Sequence, residues 1–344
     1  MPARGRDVRG IVPNAQWLAQ VREDAIEPEL PIIDPHHHVG EYIARYSLDD
    51  LIADLSTGHH IVATVYVQWG YAYRQSGPEE LKPVGETEFV VGVAEEAERR
   101  GSKTKICAGI VGTADLALGD KVADVLRAHL EIAGSRFKGI RHVTARHEGF
   151  KFGRMAEPPA GQMYDADFRK GFAQLGKLGL TFDAWLYHTQ IAELADLART
   201  YPDMGIVLDH VGGPLGVGPY RGKRDLVFRE WEAAMKDLAR RPNVHVKLVG
   251  LGMAVVGFDF HKEPKPPSSE TLAAAGRPFI ETAIELFGAE RCMFESNFPI
   301  DKAMFGYAVV WNAFKRLASG SSATEKRALF HDNAARFYRL EDSL

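Results

Sequence analysis

Short apolar runs that end in polar residues alternate with longer stretches of helical period along most of the chain. The first run, Pro31-Ile-Ile-Asp-Pro-His-His-His-Val-Gly40, ends in three consecutive histidines. Successive side chains of a strand point to opposite faces, so Asp34, His36 and His38 are expected on one face and His37 on the other. Ser47 then caps an amphipathic helix over 48–56, with Asp49 and Asp50 in its first turn. Further β-like runs fall at 61–67, 105–111, 137–143, 180–187, 205–209, 244–249 and 291–296. Between them, helical patterns cover 86–100, 119–133, 165–178, 190–201, 225–240 and 269–287, each followed closely by glycine or proline. Two more helices, about 306–318 and 323–339, finish the chain. Residues 1–30 read as an N-terminal extension, with a short amphipathic piece near 17–23 and a stop at Pro28; residues 31–344 read as one domain.

Eight strands, each followed by a helix, imply a parallel sheet closed as a (β/α)8 TIM barrel, with extra C-terminal helices. A doubly wound sheet is the alternative. It would need a phosphate loop, and the glycine-rich runs here do not open into helices as G-x-G-x-x-G. The length of 344 residues suits one large barrel. At 45% hydrophobic and 26% charged, the composition is that of a globular protein. The net charge of −4 and the lack of a basic run with interleaved aromatics argue against nucleic acid as a partner. No 18-residue apolar run is present, so no membrane span is expected. The charged start of the chain lacks the apolar centre of a secretory signal, which makes the cytoplasm the expectation. Cys107 and Cys292 sit in apolar runs and read as buried and reduced.

Barrel enzymes build their sites at the C-terminal ends of strands. There the first strand offers His36 and His38, the second Gln68, the fourth Arg141 and His142, the fifth His188 and the sixth His210. Lys247 sits lower in the seventh; Glu295, Asn297 and Asp301 follow the eighth. His36, His38, His188 and His210, four of the thirteen histidines, thus close three strands on one face. Imidazoles and carboxylates can hold a divalent ion that polarises a carbonyl and lowers the pKa of bound water, while a second carboxylate takes the proton. The planar fork of Arg141 suits a substrate carboxylate. Trp69, Tyr71 and Tyr73 are candidates for an aromatic wall.

Six segments carry a family resemblance: Ile33-Asp-Pro-His-His-His, Lys138-Gly-Ile-Arg-His142, Leu208-Asp-His-Val-Gly-Gly-Pro214, Val246-Lys-Leu248, Met293-Phe-Glu-Ser-Asn-Phe-Pro299 and Asn333-Ala-Ala-Arg-Phe-Tyr-Arg339. In this order they resemble the amidohydrolase-related family of (β/α)8 hydrolases, most closely its lactonase-like branch, with fuconolactonase-like and pyrone-dicarboxylate-lactonase-like members. The resemblance implies His36 and His38 as the H-x-H pair of strand one, with His188 and His210 from strands five and six. It also implies an aspartate closing strand eight; here Asn297 stands at that position, and an amide cannot act as a base. Asp301 is then the first choice for the catalytic base and Glu295 the second, with His188 assisting. His36, His38 and His210 would hold one divalent ion, Zn2+ first, or polarise the carbonyl directly in a metal-free mechanism. Arg141, His142, Asn297, Gln68 and Lys247 would meet the substrate. The expected activity is opening of a lactone or similar ester of a small carboxylate-bearing molecule. The alternatives are a metal-dependent decarboxylase of the same superfamily, an amide hydrolase, and a barrel that binds without turnover. Self-association into a homo-oligomer is left open.

Overall fold

The computed structural model describes residues 10–41, 44–151 and 157–341. Eight strands form one parallel sheet in chain order: β1 (Pro31–His37), β2 (His60–Val67), β3 (Lys105–Gly112), β4 (Phe137–Val143), β5 (Thr181–Trp185), β6 (Ile206–Leu208), β7 (Val244–Lys247) and β8 (Cys292–Met293). The ring closes just beyond β8, where His38 N donates to Phe298 O (2.8 Å) and Asn297 N donates to His36 O (3.0 Å). All eight runs expected from the sequence are therefore strands of a TIM barrel.

The helices outside the barrel include α1 (Leu48–Leu55), α2 (Val84–Arg99), α3 (Val122–Ala133), α4 (Ala166–Lys177), α5 (Ile191–Thr200), α6 (Arg224–Leu238), α7 (Ser269–Phe287) and α8 (Tyr307–Leu317). Ser47 forms a capping box with Asp50 at the start of α1, as its spacing predicts. Asp165 accepts from the amides of Asp167 and Phe168 to start α4. The N-terminal extension holds one short helix at Ala15–Leu18. Its later residues are tied to α8 by Ile26 N donating to Asn312 (2.8 Å) and by Lys315 donating to Glu27 O (2.8 Å). Residues 1–9, and 152–156 of the insertion after β4, lie outside the described residues.

Two expectations need correction. β1 does not alternate evenly: between Asp34 and His37 three steps match only two on β2, from Thr64 to Tyr66. A bulge of this kind resets which face each side chain takes. Asp34 turns away from the barrel axis to accept from Tyr307 (2.9 Å) on α8, while His36 points inward. The helix expected over 323–339 is also broken. Ala323–Arg327 and Asn333–Phe337 flank a π-helical turn at Ala328–Asp332. Within that turn the carbonyl of Leu329 accepts from Phe294 N (3.0 Å), at the end of β8.

The core divides into two layers. The larger lies between sheet and helices, and a smaller one lines the barrel. The inner layer joins Ile33, Val65, Val111, Val207 and Met293 to Ala334, Phe337, Tyr338 and Leu340 of the last segment, which plugs one end of the barrel. The site occupies the other end.

Candidate functional site

Above the apolar inner layer the barrel becomes charged. Lys247 on β7 is fully buried, with Nζ 2.7 Å from Asp183 Oδ2, 3.1 Å from Asp209 Oδ1 and 4.0 Å from Glu295 Oε2. Burial would lower its pKa, but these three carboxylates outweigh it and keep the ammonium charged. Asp183 also accepts from Tyr338 of the plug (2.7 Å). Lys247 was expected to meet substrate; the structure places it fully buried among these carboxylates, with Nζ 3.2 Å from His36 Nδ1.

Next to it, one carboxylate holds two imidazoles. Glu295 Oε1 accepts from His210 Nδ1 at 2.7 Å, and Oε2 lies 2.7 Å from His36 Nδ1. Burial would raise the pKa of Glu295, but His210 and His36 hold it down at about 2. An ionised carboxylate only accepts, so His210 Nδ1 donates to it; His36 Nδ1 lies between Glu295 Oε2 and Lys247 Nζ (3.2 Å). His38 is fixed in the same sense as His210 by Val67 O, 2.6 Å from its Nδ1, and its ring stacks on Trp69 at 4.9 Å. Trp69 is held in turn by Glu86 of α2, whose Oε1 accepts from the amides of Trp69 (2.9 Å), Gly70 (3.1 Å) and Tyr71 (3.2 Å). Burial is the largest influence on His36 and His38 and drives both pKa values well below the usual histidine range, so both rings are neutral.

Arg141 lies across this group. Its NH1 is 3.2 Å from His36 Nε2 and 3.8 Å from Asp209 Oδ2, and its NH2 donates to the carbonyl of Gln68. Its Nε is buried and has no hydrogen-bond partner among the described residues. Asp209 has the same unfinished character. Neither of its oxygens has a hydrogen bond among the described residues, although Lys247 stands beside it. His36, Asp209 and His210 can each offer a ligand atom within 4.8 Å of the others. Two imidazoles and a carboxylate fit a divalent ion such as zinc, and the Glu295–histidine contacts are the kind of outer support such ligands use.

Asp301 completes the site. It is fully buried, with Oδ1 accepting from Asn297 Nδ2 (2.9 Å) and Oδ2 accepting from Gly252 N (3.0 Å). Burial raises its pKa to about 7, against the pull of His210. Asn297 thus donates to the carboxylate four residues further along the chain.

Two expected residues do not join this group. His142 faces the outer layer, its Nδ1 3.3 Å from Ala114 O and its ring against Phe168 of α4. It alternates with the inward Arg141 and so cannot reach a substrate from inside the barrel. His188 belongs to a neighbouring cluster, with Nε2 3.6 Å from Glu230 of α6 and the ring packed edge-on to Tyr220. The residues that sequence reasoning missed are Asp209, Asp183 and Tyr338. Asp209 was legible only as the neighbour of His210.

The family model described as amidohydrolase matches residues 33–340. An uncharacterized protein of Sinorhizobium fredii, y4mH, is 35% identical over 335 residues, covering 91% of this chain and 99% of that one. An L-fucono-1,5-lactonase of Burkholderia ambifaria is 27% identical over 286 residues, covering 78% of this chain and 87% of that one. Among solved structures, an amidohydrolase of Burkholderia multivorans with bound zinc superposes with a TM-score of 0.69 at 25% identity, covering 90% of this chain and 99% of that one. No helix among the described residues is long and apolar enough to cross a membrane.

Proposed function

The chain belongs to the amidohydrolase family and is a hydrolase, and on that premise we propose that it opens a lactone, or a similarly activated ester, of a small acidic molecule. The observation that carries this reading is the cluster of His36, Asp209 and His210, whose ligand atoms lie within 4.8 Å of one another, with Glu295 2.7 Å from both imidazoles. His36, Asp209 and His210 would hold one divalent ion, zinc first, with His38 adjoining. When bound, such an ion polarises a carbonyl and acidifies water.

The chain's own residues supply the remainder. The unpaired Nε–H of Arg141 offers a hydrogen bond to a carboxylate or carbonyl oxygen of the substrate. Asp301, poised near neutrality, takes the proton of the attacking water. The water oxygen bonds to the carbonyl carbon, the acyl C–O bond breaks, and Asp301 passes its proton to the departing alkoxide, leaving a hydroxy acid. Glu295 is a poor base, because at a pKa of about 2 it is already committed to two imidazoles. The test is Asp301→Asn on a lactone panel, with metal content measured alongside. A loss of kcat of about 10²–10⁴ with unchanged metal content is expected. Full turnover by this variant would sink the assignment of the base, and activity in metal-free protein would leave the direct histidine mechanism.

A further inference from the structure

Three adjoining residues meet the candidate site where β2 ends. Val67 O accepts from His38 Nδ1, Gln68 O accepts from the Arg141 guanidinium, and the Trp69 ring stacks on that of His38 at an interplanar angle of 4°. His38 and Arg141 therefore take their bearings from the backbone path that begins at Val67. That path bends sharply just beyond. Gly70 and Ala72 have φ of 88° and 55°. The second is a left-handed conformation that an alanine keeps only where its surroundings impose it.

Glu86 supplies the restraint. It is the third residue of α2 and is buried. Its Oε1 collects the amides of Trp69, Gly70 and Tyr71 together with the hydroxyl of Tyr66 (2.8 Å). Three successive N–H groups thus converge on one oxygen, as they do around a bound anion. Its Oε2 is buried and has no hydrogen-bond partner among the described residues, so the carboxylate is committed to this loop and to Tyr66. The first turn of α2 is fitted to the same contact. A Cβ on Gly85 would lie 2.6 Å from both Ala72 O and Arg74 N, so a glycine is what lets the helix come this close to the loop. The first turn of a helix also favours a negative side chain.

We infer that Glu86 is a positioning residue for both His38 and Arg141: hydrogen-bonded to neither, it sets them through the loop 67–71. The test uses the full chain loaded with zinc and two variants. Glu86→Gln keeps an oxygen for the three amides; Glu86→Met keeps the bulk and accepts nothing. NMR of chain labelled in its histidines reads the His38 tautomer, with the signal assigned by its loss in His38→Gln. The unmodified chain and Glu86→Gln should show the proton on Nδ1, facing Val67 O, and Glu86→Met should show that signal displaced. A His38 signal that is the same in all three, or displaced equally in both variants, overturns the inference, because a merely structural glutamate would leave that tautomer alone or be replaced no better by glutamine. Turnover is the second readout, and it rests on the lactone-hydrolase reading above. On the panel lactone that the unmodified chain opens fastest, Glu86→Gln should hold kcat/KM within about threefold. Glu86→Met should lower it about 10–100-fold. Full turnover by Glu86→Met also overturns the inference. If the unmodified chain opens no lactone, that reading fails while the His38 signal still decides the role of Glu86. Should Glu86→Met not fold, Gly85→Ala takes its place: its Cβ would part α2 from the loop, a displaced His38 signal is expected, and an unchanged one overturns the inference.

Discussion

Glu295 ties two histidines from opposite parts of the chain to one carboxylate, so its removal should be felt first in what those histidines hold. Glu295→Gln is expected to weaken zinc affinity about 10–100-fold, measured by competition with a chromophoric chelator. For Asp301 the sign follows from the proposed role: a base works deprotonated. With its pKa raised to about 7, turnover should climb as pH rises through 7 and fall below it, a limb that a pH–rate profile will locate. At this scale the sequence was partly readable. His36, His38 and His210 stood out by residue type and by their place after apolar runs. Asp209 did not, since strand alternation would turn neighbours to opposite faces. The backbone leaves the strand at that point: His210 and Val211 have φ of 56° and 46°, and this left-handed turn lets Asp209 and His210 serve the same site.

The same lesson recurs in whole elements. Periodicity located every strand, because an apolar run between turn signals is enough to mark one. It could not reveal the bulge in β1, which depends on the partner strand, or the π turn at Ala328–Asp332, which depends on where β8 ends. The loop after β7 is another element set by its neighbours. Gly250 has φ of +82°, and a Cβ there would lie 2.4 Å from the Cβ of His210; a Cβ on Gly252 would lie 2.8 Å from Asp301 Cγ. These glycines let the loop close over two candidate site residues. Gly250→Ala should cost 1 kcal/mol or more of stability by order of magnitude, read by urea unfolding, and should lower activity by displacing His210.

Across the whole molecule, stability and site share one buried charge network. Lys247→Met would leave Asp183, Asp209 and Glu295 buried without their cation, and a loss of about 3–5 kcal/mol is expected in urea unfolding. Acid should also weaken the fold. His37, His59, His129, His188 and His245 are each lowered to about 4, mainly by burial. Their stabilising contribution is complete above the ordinary histidine pKa of 6.5 and is lost as pH falls toward 4, about 1.4 kcal/mol per unit of displacement. Asp34, Asp183 and Asp301, raised by burial, pull the other way over part of this range but are fewer. The midpoint of urea unfolding should therefore be lower at pH 5 than at pH 7.5.

The plug at the base of the barrel carries a consequence for synthesis. Tyr338 donates to Asp183, and Lys138 Nζ donates to Arg339 O (2.9 Å), so residues translated after every strand complete the contacts beneath the site. A nascent chain that has exposed His36 and His38 still lacks both Glu295 and the segment that closes the floor under Lys247. Metal loading should thus follow release from the ribosome, and a chain stalled before residue 295 should present its histidines without the carboxylate placed to orient them.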